Sequence, residues 1–124
     1  MISVDGITYN LAVTGLKRTA SFLDKTAERT EDGILHRQLI GVYYNYSLEI
    51  GYLGDMDVYN AFWDKITEPV EFHTVVVPTG SGDYTFIAYV GAEVSDSLRR
   101  QKDNVNYFGG MTVNFIGQAP ARTP

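Results

Sequence analysis

Apolar and polar residues alternate with a period of two through much of the chain, the pattern of strands that bury one face. The longest run is the clearest. Ile34, His36, Gln38, Ile40, Val42, Tyr44, Tyr46, Leu48 and Ile50 occupy one parity and are mostly apolar. Arg37, Gly41, Asn45, Ser47 and Glu49 occupy the other, with Leu35, Leu39 and Tyr43 as exceptions. A strand of that length would extend about 55 Å at roughly 3.3 Å per residue, far beyond the usual five or six residues. It must bend, cross between sheets or protrude, and Gly41 is the expected place for a bulge or corner.

The same reading places the other elements. Ile2 to Tyr9 is a hairpin turning on Asp5-Gly6, because both turn residues must accept positive φ. Leu11 to Leu16 continues as a strand, and the polar stretch Lys17 to Gly33, apolar only at Phe22 and Leu23, is expected to be a long loop. The period changes to a helical one over Asp55 to Ile66, where Tyr59, Phe62, Trp63 and Ile66 share a face, Asp55 is the N-cap and Pro69 follows the end. Four apolar residues on one face suit packing against a sheet. Val70 to Val77, Tyr84 to Val90 and Met111 to Ile116 read as strands, Pro78 to Asp83 as a hairpin connection, and Glu93 to Asn106 as a loop. The expected fold is mainly β, a β-sandwich or barrel with one short α-helix packed against it. It forms one domain over residues 1–117, with a long loop at 17–33 and a mobile tail at 118–124.

Composition narrows the chemistry. The 124 residues suffice for one core, and 44% hydrophobic with 20% charged residues is a globular composition. There is no cysteine, so disulfides, thiolate metal sites and cysteine nucleophiles are excluded. A formal charge of -5 disfavours binding to nucleic acid or anionic membranes over the whole surface. The cluster Arg99, Arg100 and Lys102 is diluted by Asp96 and Asp103 and reads as a solvated turn. No apolar run is long enough to cross a bilayer, and the opening residues do not have the pattern of a secretion signal.

Motifs for catalysis or cofactors are weak. Gly80-Ser81-Gly82 does not have the lysine and following helix of a phosphate-binding loop. Asp55 and Asp57 could face a divalent cation, but acidic residues in a first helical turn already favour the helix dipole. His36 and His73 are the only histidines. Neither has another histidine or a cysteine at ligand spacing, so both read as sheet residues and no metal or cofactor is expected. There is no Gly-x-Ser-x-Gly elbow, and fifteen acids make any carboxylate pair uninformative without geometry. Asn45-Tyr46-Ser47 matches a glycosylation sequon but sits in a strand. No enzyme is expected.

The order of elements carries a resemblance. The Val4-Asp5-Gly6 hairpin, the charged loop ending in Ala27 to Leu35, the long alternating strand, the short helix and proline-terminated turn of Asp57 to Pro69 and the closing strand Phe108 to Ile116 together resemble small tail structural proteins of bacteriophages and prophages. The resemblance implies a β-sandwich or barrel with one helix, forming a ring or tube in a siphophage-like tail such as a tail tube or distal tail protein. It carries no catalytic residues. It implies self-association, contacts with other tail proteins, and a place in the virion after assembly in the host cytoplasm. On this reading Phe22, Leu23 and Arg29 are the expected interface residues. The alternative from a different class is a stand-alone ligand-binding β-sandwich, of carbohydrate type, with aromatic side chains stacking on a sugar. Tyrosines gathered in an exposed concavity would favour the ligand module, and apolar residues on a protruding hairpin would favour assembly.

Overall fold

A computed structural model describes residues 2–31, 33–51 and 56–124. The chain is mainly β with one short helix. In chain order the elements are β1 (Ile2–Val4), β2 (Ile7–Tyr9), β3 (Val13–Arg29), β4 (Leu35–Ile50), α1 (Met56–Ile66), β5 (His73–Thr79), β6 (Gly82–Val90), β7 (Ser95–Lys102) and β8 (Val105–Gly117). They make one open sheet in the order β2-β1-β5-β6-β8-β4-β3, with β7 paired to β8 off this path. Every pairing is antiparallel.

One face of this sheet is apolar, and α1 lies on it. Val75 and Val77 of β5, Phe86 and Ala88 of β6, Met111, Val113 and Phe115 of β8, and Tyr46, Leu48 and Ile50 of β4 are buried at every second position. Each fully buried side chain of this kind contributes about 1.5–3 kcal/mol relative to exposure. The helix adds Tyr59, Phe62 and Ile66, and Phe62 meets the Tyr9 ring edge-on at 5.2 Å. Trp63, on the same helical stripe in sequence, is only half-buried. The Thr67 hydroxyl donates to the Trp63 carbonyl at 2.7 Å and closes the last turn. The N-cap expected at Asp55 lies outside the described residues.

The largest departure from the sequence pattern is at Lys17 to Gly33. Lys17 to Arg29 is not a loop: it is most of β3, paired residue by residue with β4 from Lys17↔Ser47 to Arg29↔Leu35. Polar composition marks it as a loop only if one face must be buried. A ribbon wet on both faces needs no apolar parity. Most of Glu93 to Asn106, expected as a loop with some local structure, is strand, because β7 and the start of β8 form a hairpin on Asp103-Asn104, both at positive φ (53° and 61°). Arg99, Arg100 and Lys102 therefore lie along β7, not in a turn.

The run from Ile34 protrudes, and it is kinked where Gly41 suggested. Leu23 pairs with Gly41 but Asp24 pairs with Leu39, so Ile40 bulges from β4. Lys25 bulges from β3 one step further on. The bulge reverses parity: Leu39, Arg37 and Leu35 fall on the face of Val42 and Tyr44, which explains why Leu35 and Leu39 broke the alternation. Gly41 has a second role. The segment 118–124, expected to be a mobile tail, lies against it, with the Val42 amide donating to the Arg122 carbonyl and the Ala121 amide to the Val42 carbonyl, both at 2.8 Å. A Cβ at Gly41 would stand 2.6 Å from the Pro120 Cβ, so only glycine admits this approach.

Candidate functional site

The fold leaves two ribbons outside its core: the β7–β8 hairpin, where Val105–Gly109 has β7 alone as partner and Leu98 and Val105 are exposed, and the longer β3–β4 arm. β8 pairs with β4 only over Asn45–Ile50. Beyond the single bridge from Val42 to Arg122, Leu35 to Ile40 pairs with β3 alone, a reach of about 20 Å at 3.3 Å per residue. A two-stranded ribbon is at best marginally stable alone in water. What holds this one is local. Arg37 forms an ion pair with Asp24 and places its guanidinium 5.5 Å from the centre of the Phe22 ring. At the tip, the Thr30 amide donates to the Ile34 carbonyl at 3.0 Å, and Arg29 Nη1 donates to the Gly33 carbonyl at 2.6 Å.

The arm exposes apolar side chains on both strands. Phe22 is 60% exposed, Leu23 46%, Leu35 50% and Ile40 42%. Of the three expected interface residues, the structure puts Phe22 and Leu23 together midway along β3, while Arg29 sits at the tip, engaged with its own turn. Leu35 and Ile40 were missed, because parity assigned Ile40 to the buried face and left Leu35 unexplained. The free edge of β3 carries Lys17, Arg18, Lys25 and Arg29. Such charges hinder indiscriminate edge-to-edge pairing, so a partner must match the arm's chemistry.

No family model, curated protein or solved structure matches this chain. The functional reading therefore rests on the chain's own geometry and on the order of its elements.

The aromatic cluster and the surface hollows bear on a ligand-binding alternative. Tyr44, Tyr46, Tyr84 and Phe86 do cluster, with ring centroids 5.3–6.2 Å apart, but Tyr46 and Phe86 belong to the buried core and the other two pack against it. Burial raises the Tyr84 hydroxyl above its usual range, with Tyr46 and Tyr44 adding to the shift. A surface hollow of about 240 Å³ holds Trp63 and Phe108 beside Asn60 and Asp96, smaller than the roughly 300–1,000 Å³ of typical small-molecule sites. A hollow of about 590 Å³ beside Glu49 and Arg99 has no aromatic side chain among its described lining residues, whereas one of about 370 Å³ at the root of the arm is lined by Phe22, Tyr43 and Tyr89.

Polar chemistry concentrates at the opposite end of the sheet. His73 is 2% exposed, and its Nδ1 lies 2.7 Å from Asp5 Oδ2, while Asp5 Oδ1 accepts the Thr74 amide at 2.8 Å. This clasp fixes the β1–β2 turn to β5. Glu68 stands beside it, the three donor atoms all within 4.8 Å of one another. The His36 side chain lies outside the described atoms, and Asp57, exposed in the first turn of α1, is not part of this group. Partial burial alone would raise the Asp5 carboxyl, but the His73 and Thr74 hydrogen bonds and the nearby charges of His73 and Lys65 bring it below the usual carboxylate range.

A carboxyl held lower in the folded than in the unfolded chain stabilises the fold above its unfolded value, about 3.9, and loses that contribution as pH falls through the folded value. Asp5→Asn keeps a residue suited to the positive-φ turn. It should be less stable than wild type near pH 6, with the difference shrinking steadily below about pH 4. Denaturant melts at stepped pH measure this, and a gap independent of pH down to 2 would remove the clasp from the account.

Proposed function

We propose that this chain is a non-enzymatic structural subunit that self-assembles through the β3–β4 arm. The carrying observation is the arm itself: a ribbon extending past the sheet with Phe22, Leu23, Leu35 and Ile40 exposed on it. Apolar side chains on a marginal ribbon gain burial and stability together when a second copy covers them. Charge adds little: residues 22–42, the ribbon itself, hold three Lys and Arg against four Asp and Glu, so the apolar side chains carry the contact.

The order of elements that resembles phage and prophage tail proteins supports a more specific reading, a ring or tube component of a tail that ends in the virion with other tail proteins as neighbours. The carbohydrate-binding alternative rests on the hollow of about 370 Å³ lined by Phe22, Tyr43 and Tyr89, since the tyrosine cluster packs into the core and the hollow at Trp63 is small. Analytical ultracentrifugation of the purified chain across a hundred-fold concentration range, with electron microscopy of the concentrated sample, tests the proposal. Rings or short tubes of uniform diameter are expected. A chain that stays monomeric throughout would overturn self-assembly.

A further inference from the structure

His73, Asp5 and Glu68 come from three separate elements: the start of β5, the β1–β2 turn and the segment after α1. Among the described residues they are the one group of three metal-ligating side chains whose donor atoms lie within 4.8 Å of one another. The sequence gives no sign of this, because Asp5 and His73 are 68 positions apart. We infer that Asp5, Glu68 and His73 form a binding site for a first-row divalent cation of the zinc type, using one imidazole and two carboxylates with a coordination position left open.

The donor set fits such an ion. One imidazole nitrogen and two carboxylates suit a borderline cation, and the two negative charges balance a divalent one. Ligands at 2.0–2.2 Å from a tetrahedral centre stand about 3.4 Å from one another. His73 and Asp5, at 2.7 Å, need to part only slightly, and Glu68 needs to swing inward. His73 is buried and held in the sheet, which pre-orders the least mobile ligand. Glu68 is exposed and pairs with Lys65 Nζ at 3.3 Å, so it must leave that ammonium for the ion. On binding, the proton shared between Nδ1 and Asp5 Oδ2 is released to solvent, and the ion takes its place.

The test uses the full untagged chain, stripped with chelator and then titrated with zinc chloride, with magnesium chloride in parallel. Calorimetry should give one zinc per chain, and a hundred-fold excess over Kd should raise the melting temperature by roughly 10 °C. Magnesium should do neither. His73→Ala could simply fail to fold, so the deciding variant is Glu68→Gln, which leaves the Asp5–His73 clasp intact. It should melt like wild type without metal and bind zinc about tenfold more weakly or worse. His36→Ala, which removes the other histidine, should bind as wild type does. No zinc binding, equal binding of magnesium, an unaffected Glu68→Gln variant, or loss of binding in His36→Ala would each overturn the site.

Discussion

Phe62→Ala is expected to destabilise the chain by about 3–5 kcal/mol, the range for truncating a fully buried aromatic side chain. That is a large share of the roughly 5–15 kcal/mol that holds a domain of this size. Phe62 is wholly buried and joins α1 to β2 through the Tyr9 ring, so its loss leaves a cavity between helix and sheet. Trp63→Ala should cost less than half as much, because that side chain borders a surface hollow with Asn60, Asp96 and Phe108 and is not sealed in the core. Urea unfolding with equal m-values for both variants measures the difference. If Trp63→Ala proved the costlier change, α1 would be rotated from the orientation described.

Burial and turn chemistry explain which parts of this fold could be read from the sequence. The Asp5-Gly6 hairpin was legible because few residues accept its two positive φ angles. β5, β6 and the inner half of β8 were legible because one face is apolar. α1 was legible from its period, but neighbouring Phe62 and Trp63 differ by only about 100° around the helix, and sequence alone does not tell which points inward. β3 beyond Leu16, whose first residues Val13 to Leu16 were read as strand, and β7 were illegible for a single physical reason. Neither buries a continuous face in its own chain, so neither has a parity to detect, and their strands are set by ladder hydrogen bonds to β4 and β8. The Asp103-Asn104 turn was the available signal for β7.

The site followed the same logic. Phe22 and Leu23 drew notice because they were apolar residues without an evident local partner, and the structure leaves both exposed. Ile40 was hidden by the bulge, which breaks the parity that had assigned it to the buried face. Asp5 was hidden by its 68 positions of distance from His73, and Glu68, five positions before His73, was hidden among fifteen acids, since nothing local announces that a turn, a helix exit and a strand start will meet there.

The arm carries the largest expected effect on function. Phe22→Asp combined with Leu35→Asp should abolish assembly while moving the melting temperature by no more than about 5 °C, because exposed substitutions usually stay within about 0.5 kcal/mol and the Phe22–Arg37 contact adds about 0.5–1 kcal/mol at an exposed site. Both residues belong to the arm, yet they stand on opposite sides of its double bulge, Phe22 paired with Val42 and Leu35 with Arg29. The pair of carboxylates would place unpaired charge in any interface that buries this ribbon. It would also take the net charge of residues 22–42 from -1 to -3, against a body that is itself acidic. In wild type, raising salt from 0.1 to 1 M should not abolish assembly, since screening acts on charges and leaves the apolar contact in place. Sedimentation of both proteins at matched concentration reads the result. Wild-type assembly that the double variant reproduces would take the arm out of the interface, and a double variant that fails to fold would show instead that the ribbon already belongs to the core of the single chain.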